Sequence, residues 1–459
     1  MPLSSTVSTL RALGDNARHA RRNHVRGVVA GLFAALSRDF THPQLILAGL
    51  IYALTDSAVL VALVTIINKA AVLAPQLFVS SLLEHADRRK PHFIVLTVVR
   101  SIAFLSVALS VGLLGWRTNA LTLTAFFLCY TVMCSTSGGG HIIFVDMIGR
   151  LIPEHRVGSF IGMRNFLGGL AAIAAGALVI QPILAGVTLP LNYFILALIG
   201  VGLAITDMSI WCTCREESGP HAEKKTTLGE AFRRGRYWLK RDHNYRCYFW
   251  QRVAFRVNYL GLAFFIPYGT EKLGYENTAG GVAVLGGIMV ACIKLSRTVG
   301  SGLWGKAADR RGYRFALIGG GVFMTAAPLL ALLAPSLPPL FDIGLPGVAH
   351  RLDLRLLVYL LALVCIGFGF QATILGGQKF LITNAPEERR ASYVAFLNTI
   401  TSPLTLLPLA GALMAEVAGM TGLFFVVTGG GMLALAGAVA MDGRNTGAAK
   451  MDDASAGSA

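Results

Sequence analysis

Charge is scarce in this sequence: only 14% of its 459 residues are Asp, Glu, Lys or Arg, against 54% hydrophobic. A chain of that size cannot solvate a soluble surface with so few ionised groups, and its mean hydropathy of +0.61 says the same. Acid is scarcer than base, 24 residues against 40. The basic residues are split among short loops rather than gathered in one patch, so the net charge of +16 is no sign of nucleic-acid binding. Also missing are a phosphate-cradling P-loop, an HExxH helix and any CxxC pair. Their absence argues against an ATP-driven pump and a metal-dependent enzyme. We therefore expect no enzyme, no catalytic residues, no bound metal and no cofactor. The seven cysteines stand singly in apolar segments except for Cys212-Thr213-Cys214, with no framework spacing, and are expected to be reduced. No cleavage site follows Arg11, Arg18, Arg21, Arg22 and Arg26, so residues 1–28 are expected to form a retained basic arm in the cytoplasm.

What the sequence does have is a succession of apolar stretches of helical length. They are longer than the roughly ten-residue alternating segments of an outer-membrane barrel. They predict an all-α integral membrane protein whose spans satisfy their own backbone groups. Basic residues at 88–90, 150, 156, 224–246, 306–314 and 389–390 fall on one side, which assigns those loops and both termini to the cytoplasm. Counting back from the basic loop at 84–92, with about 20 residues or more per span, places the second helix at roughly 58–82 and an outer turn at Thr55-Asp56-Ser57. The first helix then runs from about 30 to 54. It must contain "SRDFTHP" (37–43), with Arg38 and His42 on one face at i, i+4 and Asp39 about 100° away.

Other charges share the apolar stretches: Lys69, Arg100, Arg252, Arg256, Lys294, Arg297 and Lys379, against Asp39, His141, Asp146 and Asp207. Each costs a few kcal/mol or more at the bilayer centre unless it meets a partner or a wet cavity. Arg252, Arg297 and Lys379 lie near enough to the cytoplasmic face to snorkel. Arg38 with Asp39 reads either as an internal ion pair or as part of a cationic cavity. Guanidinium groups suit the second role because they hold carboxylate or phosphate bidentately and stay charged when dehydrated. Gly138-Gly139-Gly140 reads first as close helix packing.

The chain also repeats itself. "IPEHRVGSFIGMRNF" (152–166) aligns without gaps to "APEERRASYVAFLNT" (385–399), pairing Pro153 with Pro386, Arg156 with Arg389 and Asn165 with Asn398 at an offset of 233. A second landmark, "GKAADRRGYR" (305–314), interrupts two apolar runs, and "LLEHADRRKPH" (82–92) echoes it at an offset of 222 between Asp87 and Asp309. The longer loop around 338–353 accounts for the difference. Here the chain resembles the major facilitator superfamily, whose G-x-L-A-D-R-x-G-R-R motif joins the second and third helices of each half. Gly305, Asp309, Arg310, Gly312 and Arg314 match it; Ala307 and Tyr313 depart from it. The first copy keeps Asp87, Arg88, Arg89 and Lys90 but neither glycine.

The resemblance implies twelve transmembrane helices in two pseudo-symmetric six-helix halves, alternating access, and a substrate cavity lined by helices 1, 4, 7 and 10. It divides the chain into the arm 1–28, a first half 29–211, a linker 212–246, a second half 247–441 and a tail 442–459. The expected function is secondary active transport of a small solute, an organic or phosphorylated anion, by proton coupling or exchange. The substrate residues are expected to be Arg38, Asp39, His42, Lys69, Arg252, Arg256 and Lys294, with Gly305, Asp309, Arg310, Gly312 and Arg314 as the gate. Efflux of amphipathic compounds or metal chelates, and a non-transporting receptor or assembly factor, are the alternatives. "LGEAFRRGRYWLKR" (228–241) sets apolar against basic residues and predicts an interfacial amphipathic helix in the linker. The expected setting is the lipid bilayer of a bacterial inner membrane, with a monomeric multi-pass chain.

Overall fold

A computed structural model of the chain describes residues 3–73, 75–83, 86, 88–116, 119–214, 228–274, 281–338, 340, 343–344 and 351–442. The expectations for Asp87, for most of the long outer loop and for the tail beyond Asp442 lie outside these residues. The chain divides into two units, residues 1–235 with 385–399, and residues 236–384 with 400–459.

In the first unit α1 (Leu3–Phe40) leads through a π-helical turn, Pro43–Leu47, into α2 (Ala48–Thr55). Asp56 takes a left-handed conformation, φ 49°, and α3 (Ala58–Leu73) starts two residues later. The turn at 55–57 is where the span count puts it. There follow α4 (Gln76–Leu83), α5 (Lys90–Trp116), α6 (Ala120–Leu151), α7 (Val157–Ala175), α8 (Gln181–Gly186) and α9 (Leu191–Cys212). Asn119 starts α6 with a reciprocal capping box to Thr122, satisfying donors that the first turn leaves orphaned. The core is apolar: Leu50 and Ile51, Val64, Phe104 and Val107, Phe126 and Tyr130, and Val201 come together from five helices. Gly138 sits against the Val72 carbonyl of α3, where any Cβ would collide. That glycine serves close helix approach.

The amphipathic helix α10 (Leu228–Arg241) has the bounds read from its sequence, and the unit boundary falls within it. The second unit continues with α11 (His243–Leu262), α12 (Phe265–Lys272), α13 (Gly281–Leu333) and α14 (Leu354–Asn384). Two-residue strands at Ile343–Gly344 and Arg351–Leu352 pair antiparallel in the loop before α14. The last helices are α15 (Arg390–Thr401), which crosses the unit boundary between Thr399 and Ile400, and α16 (Leu407–Val439). α13 is a hairpin rather than a rod. Gly312 at φ 84° reverses it, a conformation closed to most side chains. Trp304 then meets Phe315 at 5.9 Å and Phe323 at 6.1 Å, although nineteen residues of straight helix would separate Trp304 from Phe323 by about 28 Å. Gly419, φ 70°, does the same in α16, so that Gly411 and Val427 both face Leu260–Gly261 of α11.

Seven helical stretches among the described residues are by themselves long and apolar enough to cross a membrane. When broken helices are read as single passes and the Gly312 and Gly419 hairpins as two each, the described helices make twelve passes. Six precede α10 and six follow it. The internal repeat is visible in local geometry as well. Pro153 (φ −56°, ψ 139°) and Pro386 (φ −55°, ψ 133°) each open a three-residue 3₁₀ turn, and that turn runs into α7 or α15.

Candidate functional site

The motif "SRDFTHP" is the place where the first pass breaks. Pro43 has no N–H to give and disfavours a helical residue before it, and His42 accordingly turns to φ −60°, ψ 120°. Ser37, Arg38 and Asp39 close α1, and His42 leaves the helix. Arg38 and His42 therefore do not share a helical face: the i, i+4 register assumed for them ends at Phe40. Thr41 back-bonds through N–H and Oγ1 to the Ser37 carbonyl, and the His42 carbonyl accepts from Ile46 and Leu47. Ser37 Oγ donates to the Gly200 carbonyl of α9 at 2.8 Å, pinning the break to its neighbour. Irregular backbone in a span needs protein or a wet cavity around it, and in transporters such half-helices flank bound solute. The seventh pass is interrupted as well, between α11 and α12 at Ala263–Phe264. Phe264 follows His42 by 222 residues, the offset of the Asp87 and Asp309 landmarks.

Arg38, four residues before the break, belongs to a set of charges from four helices. Asp207 of α9 is buried, and the positive charges acting on it are, in decreasing order, Arg164 of α7, Arg100 of α5 and Arg38 of α1. Arg164 lies over the Phe144 ring at 4.2 Å and near Trp211 at 6.0 Å, cation–π contacts that orient the guanidinium. Gly31 makes room for it, since a Cβ there would occupy the place of the Arg164 side chain. Arg100 leans on Phe104 at 5.2 Å. Trp211, one turn on in α9, gives Asp207 a side-chain hydrogen bond, and Arg100 Nε is buried without a hydrogen-bond partner among the described residues. Three guanidiniums, that of Arg38 exposed, act on one carboxylate here, two positive charges in excess. Arg164 is absent from the residues expected from sequence, although it is the only charge in the α7 sequence. Arg100 and Asp207 stand in the intramembrane ledger but not together.

The other expected residues are distributed differently. Arg256 of α11 stacks on Tyr259 at 5.5 Å and lies in the field of Arg252, one turn earlier. Arg256 precedes its helix break by eight residues, whereas Arg38 precedes His42 by four. Lys69 on α3 and Lys294 on α13 are exposed, and Asp39 is half-buried. Arg38 belongs to the first unit; Arg252, Arg256 and Lys294 belong to the second.

The motif at 305–314 is assembled around Gly312. Asp309 Oδ1 receives Lys379 Nζ of α14 at 2.6 Å, and the same ammonium reaches the Ala308 carbonyl at 2.9 Å. Arg310 is exposed, and Gly305 is buried beside Trp304. Arg314 Nη2 donates to the Val439 carbonyl at the end of α16 at 2.5 Å. Tyr313, which replaces an arginine of the family motif, is buried and receives Asn384 Nδ2 on its hydroxyl. The first unit has its own lock. Arg89 Nε reaches Asp146 Oδ2 at 2.6 Å with both side chains buried, Arg150 stands at 3.5 Å, and Arg390 reaches the other oxygen at 3.8 Å. Close by, Arg26 and Lys90 donate to the Thr213 and Cys214 carbonyls past the end of α9, where cations suit the helix dipole. Burial pushes the Cys214 thiol up to about 11, partly offset by Arg26 and Lys90.

The family model of the major facilitator superfamily matches residues 27–405. The chain belongs to the major facilitator superfamily. Solved structures of superfamily members share the fold from end to end. One is a bacterial homologue of the iron transporter ferroportin in an outward-facing state, with TM-score 0.69, 15% identity, and 92% of this chain and 100% of that one covered. A human organic anion transporter, MFSD10, gives TM-score 0.64 at 15% identity, covering 92% and 99%. The fucose:proton symporter FucP of E. coli gives 0.58 at 12% identity, covering 93% and 98%. No curated protein matches the chain by sequence. At these identities the likeness establishes the superfamily's transporter fold and leaves the solute to be argued from the side chains.

Proposed function

We propose that the chain is a secondary active transporter of a small organic or phosphorylated anion, working by alternating access and driven by proton coupling or by exchange. The observation that carries this is the excess of cationic charge at Arg38, Arg100, Arg164 and Asp207, next to a broken first helix. Two uncompensated positive charges within apolar helices are costly unless an anion joins them, and three guanidinium groups present the planar donors that carboxylate and phosphate accept. Asp39 and His42, at the break, are the groups offered for proton coupling, and Arg252, Arg256, Lys69 and Lys294 are kept as field-shaping cations. Asp309 and its motif serve as the gate.

The experiment is uptake into liposomes containing the purified protein, across a panel of dicarboxylates, sugar phosphates and neutral or cationic solutes of similar size, with and without a pH gradient. Saturable uptake of an anion that Arg164→Ala abolishes is the expected result. Uptake confined to neutral or cationic solutes overturns the substrate class.

A further inference from the structure

We propose that the outer face of α10 is a binding surface for anionic phospholipid headgroups. The helix buries Ala231, Gly235 and Trp238 and exposes Phe232, Arg233, Arg236, Tyr237, Lys240 and Arg241. Those exposed positions recur at three- and four-residue intervals and form one stripe. On it Phe232 is 45% and Tyr237 44% exposed, set among four cations. Glu230, at the helix start, is the one acidic residue of α10. A linker that met only water would gain nothing from exposing Tyr237 and the part of Phe232 that Phe396 leaves uncovered. At a bilayer surface the same rings reach the acyl boundary while the guanidinium and ammonium groups meet phosphate.

The inner face leaves α10 little freedom. Gly235 admits the Phe396 ring, and Phe232 meets that ring edge-on at 5.4 Å. Trp238 packs on Tyr245 at 6.5 Å. Asp242 alone separates α10 from α11: its N–H bonds to the Trp238 carbonyl and its Oδ1 accepts from Tyr245 N, while Arg246 Nη1 donates back to the Lys240 carbonyl. α11 enters the bilayer almost at once. Trp250, 60% exposed, stands seven residues past His243, where an interfacial tryptophan marks the headgroup layer. Seven residues of helix rise only about 10 Å, so the elbow holds the cationic stripe within the electrostatic reach of charged lipids. The partner is the membrane the chain already spans.

The test uses the full-length protein in detergent, with phosphatidylglycerol and phosphatidylcholine retained per protein counted by native mass spectrometry. The wild type is expected to prefer phosphatidylglycerol. The quadruple change Arg233→Gln, Arg236→Gln, Lys240→Gln and Arg241→Gln should weaken that preference by at least about ten-fold, given up to about five-fold per cation near an anionic surface. Arg233→Lys with Arg236→Lys and Arg241→Lys should keep it, and Phe232→Ala with Tyr237→Ala should reduce it for both lipids. In the wild type, raising salt from about 0.05 to 0.5 M should release phosphatidylglycerol and spare phosphatidylcholine, a readout that does not depend on any variant folding. Unchanged phosphatidylglycerol retention in the glutamine variant, or retention indifferent to salt, overturns the proposal and leaves the stripe to an acidic protein or to solvent.

Discussion

Lys379 and Asp146 occupy the same place in the two halves and carry opposite charge. They are 233 residues apart, the offset of the internal repeat, and each pairs with the loop between the second and third passes of its own half. Lys379 meets Asp309 at 2.6 Å; Asp146 meets Arg89 at 2.6 Å. An ion pair of opposite polarity is present in each copy, although its loop partner has shifted: Arg89 stands two residues after Asp87, the counterpart of Asp309. The mutual attraction of two nearly buried charges is indifferent to which helix carries which sign, whereas a lone buried charge is not tolerated.

Removing one partner of the Lys379–Asp309 pair should therefore cost about 3 to 5 kcal/mol, since it strands a buried charge. Asp309→Asn and Lys379→Met should each lower the thermal unfolding temperature of the purified protein. Exchanging the pair, Asp309→Lys with Lys379→Asp, reproduces the polarity of the first half and should recover most of the loss. A double exchange no better than either single change would sink the reading of the two locks as one device.

Asp146 carries more than its counterpart, with Arg89, Arg150 and Arg390 all within 3.8 Å. Asp146→Asn leaves three guanidiniums without their carboxylate, whereas Asp309→Asn leaves one ammonium on a flexible stem with a backbone carbonyl still in reach. The unfolding temperature should fall further for Asp146→Asn. Equal shifts would show that Arg150 and Arg390 contribute nothing to that carboxylate.

Much of the architecture was legible because it follows from periodicity and length. The turn at Thr55-Asp56-Ser57 came from counting span lengths, and the bounds of α10 came from the alternation of apolar and basic residues. The break at His42 was signalled by Pro43, yet counting alone ran the helix through it. The charge set was less accessible. Arg38, Arg100, Arg164 and Asp207 come from four helices, and helical spacing relates residues within one helix without saying which faces of different helices meet. The exchanged lock was hidden for a related reason: residue identities align like with like, while an ion pair is preserved by exchanging unlike residues.

Gly31→Ala should separate packing from function. The added methyl displaces Arg164 from its seat on Phe144, while alanine favours the helix by roughly 0.5 to 1 kcal/mol over glycine. Uptake should fall toward that of Arg164→Ala with thermal stability held or slightly changed. Full uptake in Gly31→Ala would mean that the position of Arg164 does not matter to transport.

Cys214 should stay a thiol well above neutral pH, because its burial pushes the pKa to about 11. Iodoacetamide at pH 9 should label it far more slowly in the folded protein than in the denatured chain, with labelling rising toward pH 11. The linked stability effect has a definite sign. The unfolded chain loses this proton from about pH 8.5 upward, so this group's contribution to folding weakens between there and about pH 11. Equal labelling of folded and denatured protein at pH 9 would contradict the burial assigned to it.

Asp207→Asn distinguishes an anion site from a structural ion cluster. If the excess charge awaits a substrate, the carboxylate of Asp207 competes with that substrate for the same guanidiniums, and neutralising it raises the local excess from two charges to three. Two charges about 4 Å apart at an effective dielectric near 20 interact by about 4 kcal/mol, and only part of this reaches the affinity because Arg164, Arg100 and Arg38 lose a counter-charge in the empty state. Anion binding should tighten by at least about ten-fold, which corresponds to about 1.4 kcal/mol. Turnover should slow, because a substrate held too well is released late. The unliganded protein should unfold at a lower temperature and regain stability when the anion is added. A structural cluster shares the earlier unfolding and differs in the rest: no anion in the panel would bind Asp207→Asn more tightly or restore its stability. Isothermal titration and thermal unfolding of the same preparation read both quantities. Loss of stability with unchanged or weaker anion affinity would remove Arg38, Arg100 and Arg164 from the substrate path.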